Sequence, residues 1–445
     1  MKSFFKSLYL SDRIYIAAAI IIVFFVIGYY VSLFYAAGKV LLLILASLVI
    51  IDILLLYNSS VFKIKAKRRL PAKLSNGDDN KIDIYIKNNY KFSVYTEIID
   101  EIPFQFQKRD FLIKKKLGTG EEVTLNYILR PVKRGEYSFG NLNIYVSDFI
   151  GIIKRRFIFD NNAKVPVYPS FIQMQKYEIK AVSNNLSDYG IKKIRKISNN
   201  REFEQIKSYV AGDDFRTVNW KATARRSQLM VNQYQDEKAQ RIYSIIDMGR
   251  TMKMPFEGMS LLDYAVNAAL VISNIALKKD DKAGVITFSK SIHSIVPADK
   301  KNNQISKISE VLYKQQTNYD EANFELLYTT VKRKITQRSL LLVYTNFEGF
   351  VSLERQLKYF KQLSKNHLVV VIFFKNSELN KLTEHKAKTT LDIYNKAIAE
   401  KFKYEKQLIV KELKKNGVFS VLTEPQNLTV ETINKYLEMK ATGLF

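Results

Sequence analysis

The chain has 445 residues, a formal net charge of +27 at pH 7 and no cysteine. A chain of this length is too long to fold around one ordinary hydrophobic core, so two or three domains are predicted. The lack of cysteine excludes disulfides, thiolate catalysis and zinc–thiolate sites. A charge this large indicates an acidic neighbour, such as anionic lipid, nucleic acid or an acidic protein.

Two apolar runs begin the chain, Tyr15 to Tyr35 and Val40 to Tyr57. At about 1.5 Å per residue, each helix can cross or nearly cross a hydrocarbon core of about 30 Å. Only the short segment Ala36–Lys39 separates the runs, and it predicts a turn. Residues 1–60 are therefore predicted to form a transmembrane helical hairpin. Asp52 lies near the end of the second helix, where a snorkelling carboxylate is expected.

Basic residues flank the hairpin on both sides, with Lys2 and Lys6 before it and the cluster Lys63 to Arg69 after it. The positive-inside rule places both flanks in the cytoplasm. The expected location is a bacterial-type inner membrane, with both termini and the large C-terminal part in the cytoplasm.

Residues 61–172 alternate apolar and polar side chains in short runs separated by turn residues, as in KIDIYIKN. This period-two pattern predicts an antiparallel β-sandwich. Arg134-Gly135 and the segment from Asp148 to Gly151 are interpreted as turns in which glycine adopts positive φ. Residues 173–240 are interpreted as a linker followed by a central basic motif.

The central motif combines a Gly-Asp-Asp turn, basic residues and the only tryptophan of the chain. A helix from Asp214 to Arg225 is predicted, with Asp214 near its N-cap. One interpretation is a basic, aromatic surface for a phosphate or an acidic partner. The favoured alternative is that Arg201 and Arg216 pair with Asp213 or Glu204, and that Trp220 packs in a core. The candidate partner-binding residues are Arg201, Gly212, Asp213, Arg216, Trp220, Lys221 and Arg225.

Residues 241–445 alternate buried apolar strands with amphipathic helices, which predicts a doubly wound, mainly parallel α/β sheet. A long helix is expected from Leu261 to Lys279, with Ser260 and Asp263 at capping-box spacing. Ligands of such sheets bind at the carboxyl ends of the strands. The polar residues expected at that edge are Asp247, Ser289, Thr345 and Asn346.

The segment from Arg201 to Met252 resembles the signature of the domain-of-unknown-function 58 family, in the order Gly-Asp-x-x-Arg, Trp-Lys, Ala-Arg and a strand ending in Asp. The apolar hairpin and the β-rich region also fit the layout of that family. The resemblance implies a von Willebrand factor A-like C-terminal domain. It further implies a cytoplasmic partner-binding module that works with a MoxR-type AAA+ ATPase in envelope or stress functions.

Von Willebrand factor A domains can carry a metal-ion-dependent adhesion site, with Asp-x-Ser-x-Ser in the first loop, Thr in the second and Asp in the third. The matching positions implied here are Asp247, Gly249, Thr251, Thr317 and Asn346. Gly249 has no hydroxyl, and Asn346 offers a neutral carbonyl oxygen in place of a carboxylate. Mg²⁺ suits such oxygen ligands, so Mg²⁺ is the expected cofactor of a degenerate site.

The leading hypothesis is a membrane-anchored, non-enzymatic protein-interaction module. The alternative is a membrane-tethered nucleic-acid-binding protein, suggested by the charge and by Trp220 among basic residues. An enzyme ranks third, because the sequence contains no P-loop, no GxGxxG after a strand and no G-x-S-x-G elbow. A hydrolase that uses Asp213, Asp214 and Asp247 stays open at this point.

Overall fold

Two compact units, Met1–Tyr168 and Pro169–Phe445, make up the structure. This computed structural model describes residues 2–58, 63–160, 162–182, 201–236, 239–317, 319–376 and 389–443. The apolar hairpin and the β-rich region, predicted as separate domains, fall together in the first unit. The predicted linker and central motif fall in the second unit with the α/β sheet.

The first unit begins with α1 (Lys2–Ser7), β1 (Leu8–Leu10), α2 (Asp12–Gly28) and α3 (Ser32–Tyr57). By length and composition α3 can cross a membrane, and α2 is an apolar helix of 17 residues packed against it. The predicted turn at Ala36–Lys39 was wrong, because the chain turns at residues 29–31 and Ala36–Lys39 lies inside α3. Gly38 instead permits close packing, since a Cβ there would lie 3.2 Å from the Phe25 ring.

The base of the hairpin is joined to the β-rich part of the same unit. The Asp52 Oδ2 atom accepts the backbone N–H groups of Ile152 and Ile153 at 2.9 and 2.8 Å. Asp52 is fully buried, so the snorkelling prediction was wrong: the carboxylate completes backbone hydrogen bonds inside the protein. The strand β1 adds to the same region, because Leu8 pairs with Arg155.

Ten strands follow α3, and they share one hydrophobic core. They are β2 (Ile64–Arg69), β3 (Leu74–Ser75), β4 (Asn80–Asn88), β5 (Val94–Asp100), β6 (Ile113–Leu117), β7 (Glu122–Leu129), β8 (Gly135–Phe139), β9 (Leu142–Ser147), β10 (Ile153–Phe159) and β11 (Ala163–Tyr168). Together with β1 they form sheets of order β1-β10-β9-β5-β6, β2-β4-β7 and β3-β11-β8. All pairs are antiparallel except β3 with β11.

Period-two alternation builds this core, as predicted. In β4 the side chains of Ile82, Ile84 and Ile86 are all buried, while the residues between them face outward or are half-buried. Both glycines have the predicted positive φ, +135° at Gly135 and +68° at Gly151. The turn is confirmed at Gly151, whereas Gly135 is the first residue of β8. At Gly151 a Cβ would also lie 2.7 Å from the Arg13 guanidinium, so a larger residue would be strained by the positive φ and would displace the Arg13 side chain.

The second unit contains one large sheet with helices on both faces. Its elements are α4 (Phe171–Val182), β12 (Arg201–Ser208), α5 (Trp220–Arg226), β13 (Met230–Asp236), β14 (Arg241–Asp247), β15 (Pro255–Phe256), β16 (Met259–Ser260), α6 (Leu261–Lys278), β17 (Lys282–Phe288), β18 (Ile292–Asp299), α7 (Gln304–Tyr313), α8 (Phe324–Lys334), β19 (Leu340–Tyr344), α9 (Phe350–Ser364), β20 (Leu368–Phe374), α10 (Thr390–Lys415), β21 (Phe419–Thr423) and α11 (Leu428–Ala441).

The large sheet has the order β18-β17-β14-β19-β20-β21. All its pairs are parallel except β17 with β18, an antiparallel edge strand that the sequence pattern did not predict. Successive residues of β14 face opposite cores, with Ile242 and Ile246 in one cluster and Tyr243 and Ile245 in the other. This double burial explains why the strand reads as a continuous apolar run.

Helix α6 is the central helix of one of these cores. By length and composition it could also cross a membrane, but most of it is buried in the protein. Its predicted capping box is confirmed, because the Ser260 side chain accepts the Asp263 N–H and the Asp263 side chain accepts the Ser260 N–H.

Helix α4 corrects the linker prediction for residues 173–182; residues 183–200 of the predicted linker lie outside the described residues. The side chain of Tyr177 is buried against the α6 core. The Glu178 carboxylate forms an ion pair with the Lys278 ammonium at 2.8 Å and accepts a hydrogen bond from the Asn274 side-chain amide at 3.0 Å. The lysines of this segment suggested a solvated linker, but its apolar residues form one face of a packed helix.

Candidate functional site

The strand order places a candidate site where the sheet reverses direction. From β14 the chain passes through α6 to β17 on one side, and it later returns to β19 on the other side of β14. Loops diverge at such a switch point and leave a crevice at the carboxyl ends of the two strands. Asp247 ends β14, and Thr345 and Asn346 follow β19. We call this side of the sheet the carboxyl edge.

Asp247 is the buried acid of the carboxyl edge. Its Oδ1 atom accepts the Gly249 N–H, and its Oδ2 atom accepts the Thr345 hydroxyl, both at 2.7 Å. Burial raises the pKa of Asp247 to about 6, and the two hydrogen bonds partly offset that effect. The carboxyl group is therefore mostly ionised at pH 7 and held in one orientation.

Gly249 lies in a position that a larger residue does not fit. A Cβ there would lie 2.9 Å from Asp247 Oδ1, 3.1 Å from the Asp320 carbonyl oxygen and 3.2 Å from the Ala322 nitrogen. The next residue, Arg250, donates its N–H to that same Asp320 carbonyl at 3.0 Å. The loop after β14 is thus closely packed on the segment before α8, which accounts for glycine at the position of a motif serine.

A lysine side chain from α10 contacts the loop that follows β19 at the carboxyl edge. Lys406 of α10 donates from Nζ to Asn346 Oδ1 at 3.0 Å and also to the Phe347 carbonyl. Burial lowers the pKa of Lys406 to about 8, with Glu348 and Glu405 opposing the change. The ammonium therefore stays mostly charged at pH 7, beside the amide oxygen that the Mg²⁺ prediction required.

These contacts fit the predicted Mg²⁺ site poorly. Gly249 supplies no side-chain oxygen, Asn346 already accepts from Lys406, and Thr317 is not among the residues that line the cavity at Asp247. Among the described residues, no three His, Asp or Glu side chains form a group that could hold a metal. Mg²⁺ binding stays a prediction that depends on Asp247, Thr251 and water.

Two neighbouring cavities open at the carboxyl edge and share a wall. One, of about 540 Å³, is lined by Asp247 and by charged residues of the loop before α8 and of α9. The other, of about 880 Å³, has four aromatic and four basic residues in its lining: Phe256, Phe347, Phe374, Phe402, Arg250, Lys375, Lys403 and Lys406. Arg250, Thr251, Asn346 and Glu348 line both. Within the wall, the Arg250 guanidinium lies 3.1 Å from the Glu348 carboxylate.

Helix α10 forms one side of the larger cavity and was not predicted as part of a site. Its second half packs through Ile409 and Leu413 into a core. Its first half exposes large apolar side chains, including Leu391 at 67%, Ile393 at 62% and Tyr394 at 65% exposure. Its amphipathic pattern was readable in the sequence, but which residues meet the sheet depends on tertiary packing.

Ser289, the other residue predicted at this edge, hydrogen-bonds to His293 through its hydroxyl at 2.8 Å. Its backbone carbonyl accepts the Asn323 N–H at 2.9 Å. Ser289 therefore connects the end of β17 to the N-cap of α8 and has a structural role in these contacts.

The central motif folds into a hairpin of β12 and β13 with two short helices in its connection. Gly212 has a φ of +112°, and Asp213 accepts from Lys207 Nζ at 2.9 Å and from the Val210 N–H at 3.0 Å. The proposed pairing of Asp213 with Arg216 is thus replaced by Lys207. The side chains of Arg201 and Glu204 lie outside the described residues.

The predicted helix from Asp214 to Arg225 was wrong, because the chain is extended at Val218 and Asn219. The Asn219 side chain caps α5 by accepting the Ala222 N–H at 3.0 Å. Trp220, at the first position of α5, is 65% exposed, so the favoured interpretation that it packs in a core was also wrong. Arg216, Lys221 and Arg225 are exposed as well.

Comparison with curated proteins finds one relative, itself described as uncharacterised. The chain is 26% identical over 245 residues to "Uncharacterized protein YeaD" of Bacillus subtilis, a match that covers 54% of this chain and 58% of that protein. The chain thus spans less than two thirds of the length of this curated relative.

Among solved structures, BatB of Bacteroides thetaiotaomicron, described as a conserved hypothetical protein, is 14% identical with a TM-score of 0.32. The match covers 46% of this chain and 100% of the BatB chain. A PapD-like domain of human CEP192 is 11% identical with a TM-score of 0.19, and covers 24% of this chain and 87% of that domain. Residues 205–406, which contain both the hairpin of the central motif and the carboxyl edge, match the family described as "Protein of unknown function DUF58".

Proposed function

We propose that the protein is a membrane-anchored, non-enzymatic interaction module whose α/β sheet is a von Willebrand factor A-like domain. The six-strand order with one antiparallel edge strand supports the domain type. The apolar helices α2 and α3 support the anchor, and the basic flanks support a cytoplasmic position. The partner expected from the family resemblance is a MoxR-type AAA+ ATPase in an envelope or stress function.

The observation that carries the proposal is the apolar surface of α10 beside the larger cavity. Soluble proteins seldom expose several large apolar side chains together unless another molecule covers them. Leu391, Tyr394 and Phe402 recur at helical spacing, and Phe402 lines the cavity. Basic groups, Lys403 and Lys406 among them, line the same cavity. The surface therefore suits a partner segment that combines apolar residues with a carboxylate.

Capture of the partner by full-length protein in mild detergent tests this proposal. The variant Leu391→Ser/Tyr394→Ser removes two of the three apolar groups on the cavity side of α10 and keeps Phe402. Because both residues are exposed, we expect the fold to be unchanged and capture of an AAA+ ATPase to fall at least tenfold, a loss of about 1.4 kcal/mol or more.

The same helix offers a matched control. Ile393 and Tyr404 are exposed at 62% and 59% and lie about three turns apart, on the side of α10 opposite Leu391 and Phe402. Ile393→Ser/Tyr404→Ser should leave capture unchanged. Equal capture by both variants and the unaltered chain would contradict docking at the cavity side of α10. Adding EDTA separates a metal-dependent contact from the apolar one.

A further inference from the structure

The connection between β12 and β13 presents an aromatic cluster to solvent, and we define residues 205–233 as the aromatic arm. Phe215 and Trp220 are 60% and 65% exposed, and their ring centroids lie 6.1 Å apart in an edge-to-face arrangement. Tyr209 extends the cluster, 6.5 Å from Phe215. Val210 follows Tyr209 in the chain, and the Leu229 carbonyl accepts the Tyr209 N–H at 2.8 Å; both Val210 and Leu229 are exposed. Such a group of apolar side chains in water indicates a covering surface.

The exposure of these rings results from a well-bonded loop. Asn219 donates its backbone N–H to the Met230 carbonyl at 2.8 Å and its side-chain amide to Asn232 at 2.8 Å. The Thr223 hydroxyl accepts the Met230 N–H at 3.0 Å, and Met230 itself is buried. Because the backbone is held from inside, Trp220 at the start of α5 is presented outward without a large entropic cost on binding.

Cations surround the cluster. The arm contains five basic and two acidic residues, and Lys207 is paired with Asp213 at 2.9 Å. The other four, Arg216, Lys221, Arg225 and Arg226, are exposed and make no ion pair with any residue that the structure describes. Lys221 and Arg225 lie one helical turn apart on α5, so they share a face. The arm therefore combines an apolar tip with an uncompensated positive charge.

We infer that the aromatic arm is a peripheral binding site for anionic phospholipid. Trp and Phe side chains insert at the boundary between headgroups and acyl chains, and nearby Arg and Lys bind the anionic headgroups. Exposed aliphatic side chains suit acyl chains better than they suit nucleic-acid bases, which stack on flat aromatic faces. The apolar helices of the same chain keep a bilayer at high effective concentration. The inference rests on this anchoring, which is part of the proposed function.

The only tryptophan of the chain makes a direct test possible, because fluorescence excited at a wavelength that tyrosine does not absorb reports on Trp220 alone. Full-length protein is reconstituted into phosphatidylcholine vesicles with or without phosphatidylglycerol, and quenching by brominated phosphatidylcholine is measured. We expect a blue-shifted, quenchable Trp220 only in the anionic vesicles, with the effect reversed by high salt. Each basic side chain near an anionic surface strengthens binding of the arm to the vesicle about fivefold, so the four together strengthen it by a factor on the order of several hundred.

Charge reversal at Arg216, Lys221, Arg225 and Arg226 to Glu should abolish the anionic dependence. The matched control reverses Lys307, Arg333, Lys361 and Lys365, which are exposed elsewhere on the second unit and likewise make no ion pair with any described residue, and it should leave quenching unchanged. Equal loss in both variants would show a net-charge effect and overturn the inference.

Three other results would overturn the inference. They are unquenched Trp220 in both lipids, equal quenching in both lipids, and an emission change with a single-stranded oligonucleotide at low salt but not with lipid. Flotation of the protein with neutral vesicles tests the anchor separately. Protein that floats while Trp220 stays unquenched would contradict only the lipid site.

Discussion

Replacing Asp247 by Asn tests whether the ionised Asp247 carboxylate at the carboxyl edge lowers the stability of the folded protein. The pKa of Asp247 is raised from 3.8 to about 6 by burial. The folded protein therefore binds this proton more tightly than the unfolded chain does. The stability contributed by the protonated form is complete below about pH 4 and is lost as the pH rises through 6.

The magnitude follows from the pKa change. At about 1.36 kcal/mol per pH unit, ionisation of Asp247 costs roughly 3 kcal/mol of stability at pH 7.5. Asn keeps an oxygen that can accept the Gly249 N–H but loses one acceptor toward the Thr345 hydroxyl, at a cost of about 1 kcal/mol. The variant should be more stable than the unaltered protein by about 1 to 3 kcal/mol at pH 7.5.

Amide hydrogen exchange measures this effect locally and does not require the two units to unfold together. In full-length protein, the opening free energy of peptides from Arg241–Asp247 should fall between pH 4.5 and 7, after correction for the intrinsic rate. It should stay level in Asp247→Asn. Asp280→Asn, at a side chain that is 90% exposed, is the control, with an expected change within about 0.5 kcal/mol.

A variant that is less stable at pH 7.5 would refute this reasoning. Such a result would mean that the ionised carboxylate is stabilised by a group beyond Thr345 and Gly249. Repeating the exchange with Mg²⁺ and with EDTA would then show whether that group is a divalent cation.

Four further predictions concern other contacts. Gly249→Ser restores a motif hydroxyl, but its Cβ would meet Asp247 and the Asp320 carbonyl, so we expect a loss of about 1 to 3 kcal/mol in thermal unfolding and no Mg²⁺ binding by calorimetry. Gly349→Ser, at the N-cap of α9, should be neutral or stabilising. Asp52→Leu leaves the N–H groups of Ile152 and Ile153 unpaired and should cost about 2 to 6 kcal/mol in detergent, whereas Asp52→Asn keeps an acceptor and should cost less; equal losses would contradict this role. In NMR spectra of ¹³C-methylated lysines, the Lys406 signal should titrate near pH 8 and be absent in Lys406→Arg. The free energy of unfolding should rise as the pH rises above 8, because the folded protein loses the Lys406 proton at a lower pH than the unfolded chain does.

The sequence predicted the large sheet because its strands are buried on both faces. A continuous apolar run such as β14 indicates a buried strand when predicted helices lie between it and the next such run. The Ser260–Asp263 capping box predicted the first residue of α6 correctly. Asp247 at a strand end could be predicted for the same reason. Period-two alternation likewise predicted the β-rich first unit.

Other features depended on contacts that no local pattern contains. Lys406 reaches Asn346 from 60 positions away in the chain, so its role at the carboxyl edge could not be seen in the sequence. The helix after Asp214 breaks because Asn219 caps a new helix and Val218 bridges to Val231. Gly38 resembled a turn residue, yet it serves helix packing. Trp220 would ordinarily be buried, and its exposure follows from a loop that is bonded from the inside.

The attachment of the hairpin base to the β-rich part has a mechanical consequence. The strand β1 holds the entry to α2, and Asp52 holds the last turns of α3, so both ends of the hairpin are fixed to the strand β10 and the loop before it. Two separate attachment points remove the freedom to swivel that a single linker allows. If α3 spans a bilayer as proposed, a tilt of α3 that matches a thinner bilayer would carry the β-rich part through the same angle.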